Sequence, residues 1–137
     1  IYVGGGNTCN MIKFWKEKNL FEIFIDAYNN GTILSGVSAG AICWFNYILT
    51  NSLNNRLQSS KGLGLINYSC TPHASSEPER LIIFEKKVKN ALMPPGFAID
   101  DGVAVLFIDG KFSKVFSSRR KHSAYFITET GIKNLEE

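Results

Sequence analysis

The residues best suited to chemistry are Gly36-Val37-Ser38-Ala39-Gly40. They form Gly-x-Ser-x-Gly between an apolar run, Thr32-Ile33-Leu34-Ser35, and a segment read as a helix over 42–47. Where a strand turns sharply into a helix, this pattern lifts the serine hydroxyl off the sheet edge as a nucleophile. Side chains at 36 and 40 would collide in such a turn, and Ala39 and Ala41 keep the helix start slim. The first N–H groups of that helix suit a negative charge developing on a carbonyl oxygen. The competing reading is a strand that ends in a flexible Gly/Ser turn.

A serine hydroxyl needs a base before it becomes a useful nucleophile. The chain has two histidines. His73 follows Pro72 at the end of an apolar run, and loops at strand ends are where α/β sheets carry reactive groups. His122 stands in Arg119-Arg120-Lys121-His122, where a solvent-facing role is expected. His73 is therefore the expected base. A second glycine cluster, Gly4-Gly5-Gly6, separates Ile1-Tyr2-Val3 from a helical segment capped by Asn7 or Thr8. No lysine follows it at the spacing of a phosphate loop, and it lacks the dinucleotide pattern. Either backbone approaching a substrate carbonyl or a simple tight turn accounts for it.

Taken in order, Val3-Gly-Gly-Gly-Asn-Thr8, Gly36-Val-Ser-Ala-Gly-Ala41, Pro72-His73 and Asp100-Asp101-Gly102-Val103-Ala104 resemble the aspartyl dipeptidase (peptidase E) and cyanophycinase family of serine peptidases. The resemblance implies a fold like the class I glutamine amidotransferases. It also implies hydrolysis of short peptides with an N-terminal aspartyl residue, or of β-aspartyl-arginine polymer, without metal or cofactor. By position, Ser38 resembles the nucleophile and His73 the general base, while the N–H groups of Gly6 and Ala39 resemble the oxyanion hole. Complete members carry βα units ahead of the glycine loop. The expectation is a single domain over 1–137 that lacks them.

The chain departs from the family at the acid. Family members draw it from between the serine and the histidine, yet 39–72 contains no Asp or Glu. Thr50-Asn51-Ser52 stands where Thr-Asp-Ser is often found, so Asn51 is the expected stand-in. An asparagine can orient an imidazole but cannot stabilise an imidazolium with charge; the equivalent loss in a chymotrypsin-type triad is about 10⁴ in kcat. An impaired enzyme is expected on that ground. Asp100 or Asp101 offers a remote substitute, without support from chain position. For an acidic substrate side chain the nearest cation after His73 is Arg80, whose rival role is a helix-surface pair with Glu77 or Glu79.

The elements that must position these residues read as α/β. Strand, glycine loop and two helices lead to a strand over 32–37, the spacing of a parallel crossover. A polar stretch over 50–61 reads as a surface loop. Short strands over 62–66 and 68–71 precede a helix over 77–93 with Ser76 as cap. Asp109-Gly110 marks a hairpin between 103–108 and 111–116, and 124–128 is a further strand. The expected fold is a three-layer αβα arrangement of flavodoxin-like type. Its sheet is mostly parallel, with an antiparallel hairpin near the C-terminus.

Composition narrows the partners. A net charge of +3, a charged fraction of 20% and dispersed basic residues speak against nucleic acid. No apolar stretch is long enough to span a membrane. Three cysteines without metal-ligand spacing read as reduced thiols of a cytoplasmic protein. Short peptides are the expected substrate, no cofactor or metal is expected, and oligomeric state leaves no mark. The rival functions are an amidase or esterase using the same elbow, and a non-catalytic relative that binds a small ligand in the cleft.

Overall fold

Strands β1 (Tyr2–Val3) and β2 (Ser35–Gly36) pair in parallel, Tyr2 opposite Ser35 and Val3 opposite Gly36, in the computed structural model, which describes residues 1–135. Parallel pairing needs a crossover. Helices α1 (Thr8–Glu17) and α2 (Leu20–Asn29) supply it. Asn7 caps α1, its side chain accepting the Asn10 N–H at 2.9 Å. The crossover is anchored by rings: Trp15 meets Phe24 edge-on at 4.8 Å, and Phe24 meets Trp44 at 5.6 Å. Trp44 lies just beyond the serine elbow, so this cluster ties both helices to the segment that carries Ser38.

After β2 the chain turns into a single helical turn, α3 (Ala39–Ile42), and then into strand β3 (Phe45–Thr50). The helix expected over 42–47 therefore ends at Ile42, and its second half, from Phe45, is strand. Ile48 and Leu49 are fully buried and pack into the two clusters on opposite faces of the sheet. A strand covered on both faces is an unbroken apolar run, which periodicity alone does not separate from a buried helix.

The larger sheet adds β4 (Gln58–Lys61), β5 (Ile66–Thr71), β6 (Gly96–Ile99), β9 (Ala124–Thr128) and β10 (Gly131–Leu135) in the order β10-β9-β6-β5-β3-β4. Its centre, β6-β5-β3, is parallel, and the strands on either side are antiparallel. Strand β4 lies within the stretch expected to be a polar loop; Gln, Ser and Lys suit an edge strand that has water beside it. Between β6 and β9 the chain forms the expected hairpin, β7 (Val103–Ile108) and β8 (Lys111–Ser117). Asp109 and Gly110 both take positive φ, 50° and 72°, as a type I′ turn requires.

Helix α4 (Glu79–Lys89) covers one face of the sheet through Phe84 and Val88, packed with Leu49, Ala98 and Ile127. The opposite face holds Ile12 of α1, Ile42 of α3 and Val115 of β8 around Phe45, Ile48 and Phe97. The hairpin thus shares with helices the covering of that face. The result is an α/β protein of three layers, consistent with a flavodoxin-like fold.

Candidate active site

Ser38 occupies φ 52°, ψ −115°, a backbone region costly for any residue with a Cβ. Close packing holds it there. A Cβ on Gly36 would lie 2.2 Å from the Gly40 carbonyl oxygen and 2.6 Å from that of Val3. One on Gly40 would lie 2.1 Å from the Val3 oxygen and 2.6 Å from that of Gly4. The elbow is thus pressed backbone to backbone against β1 and the start of the glycine loop, and only glycine permits the approach. The loop then passes beside the serine: a Cβ on Gly5 would be 3.5 Å from Ser38 Cβ. Gly6 has φ +148°, and among the described residues no acceptor takes the N–H of Gly6 or Ala39.

Ser38 Oγ is 2.8 Å from His73 Nε2, and His73 Nδ1 is 2.6 Å from Asp101 Oδ1. A carboxylate only accepts, so the ring proton sits on Nδ1 and points at Asp101. Nε2 is then free to accept from the serine hydroxyl. Strands β5 and β6 are parallel neighbours, and the loops after their C-terminal ends bring His73 and Asp101 side by side. His73 itself takes φ 60°, and the next residue docks through its N–H on the Ile99 carbonyl at 3.1 Å. The two side chains are 30% and 26% exposed, sheltered yet open to a ligand. The Ser76 hydroxyl, and then His73, hold the Asp101 carboxyl below its ordinary value.

Asp101, then, meets the imidazole where Asn51 was expected. Asn51 is exposed and its side chain has no hydrogen-bond partner among the described residues. Its neighbour explains why. Ser52 Oγ accepts the Thr8 N–H at 2.9 Å, and its carbonyl accepts from Asn7 Nδ2 at 3.0 Å. The segment after β3 is therefore spent on seating α1, away from His73. Asp100 faces the other way: it is buried and accepts from the Ser123 N–H at 2.9 Å and, more weakly, from the Tyr125 hydroxyl at 3.5 Å.

Arg80 takes its rival role, the pair with Glu77, but from the interior and not from the helix surface. It is 4% exposed, donating from Nε to Glu77 Oε2 at 2.7 Å and from Nη1 to the Leu49 carbonyl at 3.3 Å. A guanidinium turned into the interior to meet a strand carbonyl does not face a substrate, contrary to the substrate-binding role expected for it. His122, expected at the open surface, is half-buried with Nδ1 2.9 Å from the Asp101 carbonyl oxygen. Among the described residues no three His, Cys, Asp or Glu side chains gather to hold a metal ion, and no helix is long and apolar enough to cross a membrane.

A hydroxyl, an imidazole and a carboxylate joined in series can deprotonate the hydroxyl as it attacks and carry the resulting charge. An α/β sheet with such a series at its strand ends has the arrangement that serine hydrolases use. The chain belongs to peptidase family S51, whose family model matches residues 1–115 and so includes Ser38, His73 and Asp101. It is 42% identical over 125 residues to the peptidase YgaJ of Bacillus subtilis (strain 168), covering 91% of this chain and 54% of that protein. It is 29% identical over 141 residues to Peptidase E of Haemophilus influenzae, covering 94% of this chain and 61% of that one. The chain thus spans a little over half the length of these relatives.

Proposed function

We propose that this chain carries the catalytic machinery of a serine peptidase of the dipeptidase E type, acting on short peptides. The observation that carries the reading is the unbroken series Ser38 Oγ, His73 Nε2, His73 Nδ1, Asp101 Oδ1, with contacts of 2.8 and 2.6 Å. Ser38 Oγ attacks the scissile carbonyl while its proton passes to His73 Nε2. Asp101 stabilises the imidazolium, and the N–H groups of Gly6 and Ala39 receive the oxyanion. His73 then gives its proton to the leaving amine. Water attacks the acyl-enzyme in the reverse sense, with His73 again as base.

An ionised carboxylate on Nδ1 supports full rather than impaired turnover, since the ground for expecting impairment was a missing acid. The aspartyl preference follows from the family resemblance. The test is a fluorophosphonate probe on the full chain, together with hydrolysis of an aspartyl dipeptide against its leucyl counterpart. Labelling that vanishes in Ser38→Ala, with hydrolysis lost in step, is the expected result. A folded wild-type chain that takes no label refutes the serine mechanism. Labelling without hydrolysis of either dipeptide would instead favour another acyl substrate.

A further inference from the structure

Three consecutive residues at the acid, Asp100, Asp101 and Gly102, are each gripped by the segment that joins β8 to β9. The Asp100 N–H donates to the Ser123 carbonyl at 3.1 Å, and the Gly102 carbonyl accepts from the N–H and Oγ of Ser118 at 2.9 and 2.8 Å. Between them, the carbonyl of Asp101 itself accepts from His122 Nδ1 at 2.9 Å. The same ring nitrogen is 3.4 Å from Oγ of Ser75, which also receives the Asp101 N–H at 3.4 Å. Ser75 belongs to the loop that begins at His73. One imidazole therefore touches both the loop of the base and the peptide of the acid.

We infer that His122 is a positioning residue for the proposed serine relay, clamping the Asp101 peptide against the His73 loop so that the carboxylate meets Nδ1 squarely. The inference rests on the peptidase reading above. It concerns a residue outside the stretch matched by the family model, which ends at residue 115. The chemistry of the contact is specific. A peptide carbonyl only accepts, so Nδ1 of His122 carries a proton whether the ring is neutral or charged. The clamp needs a donor at that point, and a side chain that merely fills the space does not supply one. A backbone turn holds the ring in place: the His122 N–H reaches the Arg119 carbonyl at 3.4 Å, and Lys121 takes φ 64°. A shift of about 1 Å in a group that orients a reacting partner costs as much as 10² in rate.

The experiment measures the second-order rate of fluorophosphonate labelling at Ser38, and kcat and KM for an aspartyl dipeptide, in wild type, His122→Ala and His122→Asn of the full chain. His122→Ala should slow labelling and kcat by about 10- to 100-fold with KM unchanged, because Ser38 and the substrate contacts remain. His122→Asn, whose amide nitrogen donates from nearly the place of Nδ1, should restore most of the rate. A folded His122→Ala that labels at the wild-type rate overturns the inference. Equal losses in the Ala and Asn variants overturn it too, because a donor would then not be what matters. If His122→Ala does not fold, His122→Phe, which fills the space without a donor, is measured in its place: slowed labelling and kcat support the clamp and wild-type rates refute it. Failure of the wild type to label would instead strike the peptidase reading itself.

Discussion

Replacing Asp101 by asparagine tests the relay at its most exposed assumption, that the acid comes from beyond β6. The Oδ1–Nδ1 contact is 2.6 Å, which puts the carboxylate and imidazolium charge centres about 4 Å apart. At an effective dielectric constant of about 20 that pair attracts by about 4 kcal/mol. Each 1.36 kcal/mol is about tenfold in rate, so losing the charge alone removes about three decades. Asparagine adds a second fault. Its amide can turn N–H toward Nδ1 and favour the tautomer whose Nε2 cannot accept the serine proton. Together these bring the expected loss in kcat to about 10⁴, the size found for this change in a chymotrypsin-type triad. KM should stay near wild type, because Asp101 acts through His73 and not on the peptide. The assay is kcat and KM on an aspartyl dipeptide, with the folded state checked by circular dichroism. A folded Asp101→Asn chain that keeps more than a tenth of the wild-type rate would refute the reasoning.

Asn51→Asp should leave the rate unchanged in the same assay, since its side chain faces solvent and the place beside Nδ1 is filled. Ser38→Gly and Ser38→Ala both lose the hydroxyl, but glycine accepts φ 52° where alanine is strained; thermal unfolding should find the glycine variant more stable by about 1 kcal/mol. The depressed carboxyl of Asp101 sets a pH window. Its contribution to stability is complete above about 3.8 and is lost as pH falls through its lower folded value, so the Tm difference between wild type and Asp101→Asn should close in strong acid. Burial raises the Cys43 thiol to about 12 and that of Cys70 well above its ordinary value, while Cys9 is only half-buried. Titration with a thiol reagent at pH 8 should therefore find one fast thiol in the native chain and three after denaturation.

What could be read from the sequence was local. Gly-x-Ser-x-Gly encodes its turn within five residues, because a Cβ at either glycine strikes the backbone, and Asp109-Gly110 encodes its hairpin in two. The carboxylate partner of His73 could not be read this way. Asp101 reaches His73 only because β6 pairs with β5, and the short run Gly-Phe-Ala-Ile carries no strand signal strong enough to predict that pairing. Asp100-Asp101-Gly102 at the end of an apolar run was the available clue. The pairing of Arg80 with Glu77 was legible, but its burial and that of His122 were not: a charged or titratable residue in polar company looks exposed until tertiary packing shows which way it turns. Strand β3 was lost to an ambiguity of pattern, since burial on both faces erases the alternation that marks most strands.

Only Cys43 and Trp44 separate α3 from β3, so Ser38 is mounted almost directly on a strand of the larger sheet. That strand sits between β4 and β5, both of which come later in the chain. Everything that supplies the hydroxyl therefore precedes the exposed Asn54-Asn55 turn, where both residues take positive φ, and the imidazole and carboxylate proposed to activate it follow. A single proteolytic nick there would divide the molecule into two complementary halves, one holding Ser38 and the other His73 and Asp101. Neither half has a complete proton relay. Probe labelling of Ser38 would then report whether β3 has slotted back between its neighbours and reburied Ile48 and Leu49, which makes the chemistry a reporter of fragment complementation.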